Sequence, residues 1–129
     1  MAELDRKEVI MLLNGNRNFG GLDLSGMDLS KLDLANASFY RAKLSRASFK
    51  QANLRGANLT GANLQGADLR HADLRRATLS GVNFRHADLR SCDLRETAVS
   101  HATLDLARFD DTTQWPSSFD PLKAGAVKA

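Results

Sequence analysis

The sequence predicts an all-β solenoid on two observations: an apolar period of five that never slips, and a second series of small residues two places ahead of it. Counted in fives from Phe19 through Leu24, Leu29 and Leu34 to Phe109, every position is Leu, Phe or Val, without insertion or deletion. The companion series begins large, with Leu22, Met27 and Leu32, and then settles to alanine from Ala37 to Ala77. A period of five fits neither the 3.6-residue turn of a helix nor a long flat strand. It suits a chain that extends for a few residues, turns a corner and repeats. Strand alternation puts each centre and the residue two before it on one inward face, and the other three residues outside. A disordered low-complexity chain would lack such strict phasing of its apolar residues.

Between the two inward positions stand Asn, Asp, Ser or Thr in most units, as in ANLTG, ANLQG, ADLRH and ADLRR. This A(D/N)LXX pattern resembles the pentapeptide-repeat family over about residues 17–111. The resemblance implies a right-handed quadrilateral β-helix, four units to a square coil and nearly five coils in this chain. Centres 20 residues apart, such as Leu34, Leu54, Leu74 and Leu94, would then stack directly, as would Phe39, Leu59 and Leu79. The segments GNRNFGGLDLSG and FDDTTQWPSSFDP are similar to the ends of cyanobacterial members.

The chain divides into residues 1–16 as an N-terminal helical cap, 17–111 as the shaft and 112–129 as a C-terminal cap or tail. Residues 2–13 read as a short helix, with Val9, Ile10, Leu12 and Leu13 covering the first coil and Gly15 ending it. The register stops after Phe109, and Trp115, Phe119 and Leu122 are candidates to plug the last coil. Pro116 and Pro121 oppose further strand growth there. The same end is alternatively a homodimer interface, so the expected state is a monomer or a dimer through the C-terminal end.

Composition excludes several classes of function. The 18 basic and 15 acidic residues give a net charge of +3, too mild to argue for nucleic acid or an anionic membrane. No apolar stretch approaches a membrane span, and Val9–Leu13 is shorter than the apolar core of a signal peptide. A cytoplasmic protein is expected. Its one cysteine, Cys92, stands in the inward series and is expected to act as a small core hydrophobe. His71, His86 and His101 are spaced by 15 and fall on different sides of a 20-residue coil, where they are expected as corner residues. They do not converge on a metal, and no catalytic, cofactor or metal site is expected.

Sorted by a 20-residue coil, the outward residues form columns. One side carries Asn18, Ser38, Asn58 and Thr78 beside Gly20, Tyr40, Thr60 and Ser80, and is nearly uncharged. A second sets Asp28, Asp68 and Asp88 against Lys50, Arg70 and Arg90; the next sets Asp33, Asp73 and Asp93 against Arg55, Arg75 and Arg95. These columns read in two ways, as charge-balanced solvated ladders or as a banded surface on which Arg55, Arg70, Arg75, Arg90 and Arg95 anchor a partner. The reading adopted is a non-enzymatic protein-binding scaffold. The resemblance also implies an alternative, mimicry of DNA to modulate DNA gyrase or a related topoisomerase. That role requires a strongly anionic shaft, which the interleaved arginines oppose.

Overall fold

The computed structural model describes residues 4–129. Its architecture follows from one five-residue unit. Each central residue points inward and is buried, from Phe19 through Leu34, Leu54, Leu74 and Leu94 to Phe109, with Phe39, Leu59 and Leu79 in the same core. The alanine two places earlier is buried as well. The carbonyl of most centres accepts from the N–H three residues on, as in Ala77 N to Leu74 O at 3.0 Å. The residue two after the centre takes a positive φ, which makes the corner a type II turn. Glycine takes this conformation freely at Gly56, Gly61 and Gly66, whereas Arg41, Arg76, His71 and His86 adopt it with φ between 55 and 62°.

Corners turn the chain so that each unit meets the unit 20 residues later. Parallel bridges join Asn18 to Ser38, Ser38 to Asn58 and Asn58 to Thr78, and the same step recurs on the other sides. Four units of five residues therefore complete a coil. Across the seam, Leu74 N donates to Asp93 O at 2.8 Å and Asp73 N to Ala52 O at 3.0 Å, so each interior unit is hydrogen-bonded above and below. Stacking also brings like side chains together: the Phe19 and Phe39 rings lie 5.5 Å apart at 20°, stacked.

The N-terminal helix follows from local capping chemistry. Helix α1 spans Arg6–Leu12 and starts after Asp5, whose carboxylate accepts from Glu8 N while the Glu8 carboxylate accepts from Asp5 N. The expected start at residue 2 is thus corrected to Arg6; residues 2 and 3 lie outside the described residues. Val9 is buried and Leu13 half-buried, whereas Ile10 and Leu12 are 43% and 37% exposed. Of the four residues expected to cover the coil, only those one helical turn apart face it. Two arginines bond to carbonyls of the first coil. Arg6 donates to Asp28 O and Ser30 O, and Arg17 to Asp33 O and Ala35 O, at 2.8–3.1 Å. Their guanidinium groups stand where a preceding coil would have supplied N–H groups.

At the other end the period does not stop but slips. Asp93 bridges Gln114, a step of 21 instead of 20, so Thr113 and Trp115 take the inward places. The Asp110 carboxylate accommodates the extra residue by accepting from the N–H groups of Ser91, Thr112 and Thr113. One level earlier, a 3-10 turn at Val99–His101 replaces the bridge on the uncharged side. Trp115 packs edge-on to Phe109 and against Phe119, and both are partly buried against the core. Leu122, the third residue expected at this end, is 61% exposed, because the chain after Pro121 turns back. Strand β1, Arg108–Phe109, pairs in parallel with β2, Val127–Lys128, and Ala126 fills the inward position.

Leu74→Ala, at mid-shaft with bonded coils on both sides, is expected to destabilise the protein by about 2–5 kcal/mol, read from denaturant unfolding. An unchanged midpoint would contradict a dry, closely packed interior.

Candidate functional site

The residue before each centre lies beside the turn, and its chemistry is local before it is functional. Asp73 Oδ1 accepts from Arg75 N at 3.1 Å, and Asn53 Oδ1 from Arg55 N at 3.0 Å. The same Asx turn recurs at Asp23, Asp28, Asp33, Asn58, Asn63, Asp68, Asn83, Asp88 and Asp93. The preference for Asp and Asn at this place is therefore a backbone requirement. Sequence reasoning missed it, although the residue choice itself carried the signal.

On two adjacent sides the arginine after the centre completes the arrangement. In each DLR unit the guanidinium turns back onto its own aspartate as a two-point fork. For Arg75 the distances are 3.0 Å from Nε to Asp73 Oδ1 and 2.7 Å from Nη2 to Oδ2. Arg70 with Asp68, Arg90 with Asp88 and Arg95 with Asp93 repeat it at 2.7–2.9 Å. Each column then links coils: Arg75 Nε lies 3.4 Å from Asp93, and Arg70 Nε 3.8 Å from Asp88. Arg55 has asparagine in its own unit and reaches only upward, 3.9 Å from Asp73.

The structure thus gathers Arg55, Arg75 and Arg95 into one column and Arg70 and Arg90 into the neighbouring one. Their side chains remain between 31% and 49% exposed. Isolated exposed pairs of this kind add little stability each; what the fork supplies is a fixed orientation of the guanidinium plane.

The carboxyl groups respond to this setting. Hydrogen bonding from Arg70 and from Arg95 holds Asp68 and Asp93 below the usual carboxylate range. For Asp73 and Asp88, partial burial pushes upward, but the arginine and backbone hydrogen bonds together outweigh it and the net shift is downward. Asp110, bonded by Thr112 and by backbone N–H groups, is lowered to about 2.

The uncharged side carries one feature that the columns alone did not reveal. Tyr40 is 44% exposed, and the Arg41 guanidinium stacks 5.4 Å from its ring centre. Of the remaining reactive residues, Cys92 is fully buried in the core, and burial pushes its thiol pKa up. His71 and His86 occupy corners, and His101 ends the 3-10 turn. Among the described residues, no three His, Cys, Asp or Glu side chains are grouped to hold a metal, and no helix is long and apolar enough to cross a membrane.

A solenoid of five-residue units with laddered polar faces defines a repeat protein of the pentapeptide class. The pentapeptide-repeat family model matches residues 18–56, 57–95 and 72–111, and the chain belongs to that family. A pentapeptide repeat protein from Nostoc PCC 7120 is similar at 36% identity, over 97% of this chain and 96% of that one, with a TM-score of 0.54. A second, from the Arabidopsis thaliana thylakoid lumen, is 32% identical over 77% of this chain and 76% of that one, with a TM-score of 0.57. These relatives imply a right-handed β-helix. No curated protein matches the chain.

Asparagine keeps the turn but loses the ion pair, so Asp73→Asn is expected to be milder than Asp73→Ala in thermal unfolding near neutral pH. Because folding lowers the Asp73 pKa, the ion-pair contribution is present above the ordinary carboxylate range and is lost as pH falls through the lowered value. The gap between wild type and Asp73→Asn should therefore close on acidification below the ordinary carboxylate range. A gap independent of pH would refute the pairing as its source.

Proposed function

We propose that the protein is a non-enzymatic scaffold that binds another protein through its two arginine-bearing sides, with Arg55, Arg75, Arg95, Arg70 and Arg90 as anchors. One observation carries the reading: four of these five guanidinium groups are already held in a fixed plane by their own aspartates, at a regular step along the shaft. A partner that meets them has little side-chain freedom left to freeze, which is the usual cost of recruiting arginine to an interface. The alternation of aspartate and arginine selects a partner with the opposite banding of charge. Topoisomerase modulation by DNA mimicry is disfavoured by the same pairs. The carboxylates of Asp68, Asp73, Asp88 and Asp93 that would imitate phosphates are each covered by an arginine.

The proposal extends to the frame. Square coils, nearly five in number, form a shaft over 17–111, closed by a capping helix within 1–16 and by the tail 112–129. Burial of Val9 and the Arg6 and Arg17 bonds to first-coil carbonyls support the cap. A cytoplasmic, cyanobacterial-type member is the setting this reading adopts.

Glutamine is tolerated after a centre at Gln65, so Arg75→Gln with Arg95→Gln should leave the shaft folded. In affinity capture from a cyanobacterial lysate, wild type should retain a protein that the double variant loses at equal folded concentration. Unchanged retention would remove these arginines from the interface. A supercoiling assay should show no gyrase inhibition, and inhibition would favour DNA mimicry.

A further inference from the structure

Among the described residues, Arg46 is the only arginine with no partner. Other guanidinium groups face carboxylates, take the carbonyls of the first coil or, at Arg41, stack on Tyr40. Arg46 sits at a corner whose column runs Gly26, Arg46, Gly66, His86, so it and His86 project from coils two steps apart with a bare glycine between them. Two steps of strand spacing separate their backbones by about 9.6 Å. Long side chains from both sides can reach into such a gap.

The gap is a real depression. A cleft of about 600 Å³ opens here, lined by Ser45, Arg46, Asn63, Gln65, Gly66 and His86, with Ser25 and Gly26 at its lower edge. None of its lining residues is a carboxylate, on a protein whose other arginines mostly face one. Asn63 Oδ1 accepts from Gln65 N, so of its amide group the NH2 remains to donate. Ser45 Oγ donates to Ser25 Oγ at 3.3 Å and the Ser25 hydroxyl bonds the Asp23 carboxylate, so the hydroxyls of the lower edge are already engaged. A Cβ at Gly66 would meet only Arg46 Cγ, at 3.4 Å, so the floor is open for want of a side chain.

We propose that this corner cleft binds a phosphate group. One unpaired guanidinium, a histidine and two side-chain amides line the cleft as donors, a set that suits a tetrahedral oxyanion. Arg46 supplies the charge and a two-point fork. Gln65 and Asn63 supply neutral hydrogen bonds, and His86 closes the upper edge. The site lies on the corner away from the Arg75 and Arg95 column and does not depend on the scaffold reading.

The test is an NMR titration of the full chain with inorganic phosphate, and separately with a phosphoserine peptide and its unphosphorylated form. Saturable shifts are expected at the amides of Arg46, Gly66 and His86 and at Arg46 Nε–H. Arg46→Gln and Gly66→Asn should each weaken binding at least about tenfold. Both are compatible with the corner, where Gln51 and Asn36 already stand at φ 60°. Tighter binding of the phosphopeptide than of inorganic phosphate would assign a protein-borne phosphate, and equal or weaker binding a free phosphate. Absence of saturation by every probe, or saturation unaffected by Arg46→Gln, would overturn the proposal.

Discussion

Everything in this fold depends on one backbone constraint: at nearly every fifth residue the chain turns through a positive φ. That turn points the extended residues on either side at the coils above and below instead of at each other. Non-glycine residues enter the left-handed region at a cost of about 1 kcal/mol or more each. The chain makes that concession at Lys31, Asn36, Arg41, His71, Arg76, His86 and even Leu106. What offsets it is collective. Most corners close an i to i+3 hydrogen bond, free the adjoining groups for inter-coil bonds, and turn a leucine or phenylalanine into a dry interior. Glycine is therefore helpful at a corner but not required, which explains why the corner positions vary while the centres do not.

The same constraint determines what the surface can do. Since the turn fixes the direction of the residue before each centre, an Asx side chain there is committed to the backbone first. An arginine after the centre then meets a carboxylate already held in place, and the fork forms within three residues of sequence. Stacking coils converts that local fork into a ladder, so a surface that looks highly charged is internally compensated. Its exposed chemistry lies where compensation is incomplete: on the outer edges of the forked guanidinium groups, and at Arg46, which no carboxylate reaches. Recognition by this shaft is thus a matter of spacing and orientation more than of net charge.

The sequence made the core fully legible, because burial requires only that the right side chains recur at the right step. Leu34, Leu54, Leu74 and Leu94 could be stacked from their numbers alone once the coil length was supplied by resemblance. The arginine and aspartate columns were legible as columns for the same reason. Their bidentate pairing within one unit was not, since a column assigns neighbours but no rotamers. The ends were read least well. Nothing local distinguishes Ile10 from Val9, and only the docking angle of a helix seven residues long decides which faces the coil. The slip at Asp110 is invisible to a periodic count that stops at Phe109, and the return of the tail to pair with Arg108–Phe109 follows a route without repeat signal. Arg6 and Arg17 gave no sign of their role, because the carbonyls they satisfy are 16–24 residues away.

The most direct test of this account is amide hydrogen exchange resolved residue by residue along the shaft. In the unit from Asp73 to Ala77, four amides donate to backbone carbonyls, while Arg75 N donates only to the Asp73 side chain. The account predicts protection with a period of five through the middle coils, in which the residue after each centre exchanges fastest and its four neighbours slowly. Exchange without that period, or with the corner amides of Gly56, Gly61 and Gly66 left unprotected, would contradict it.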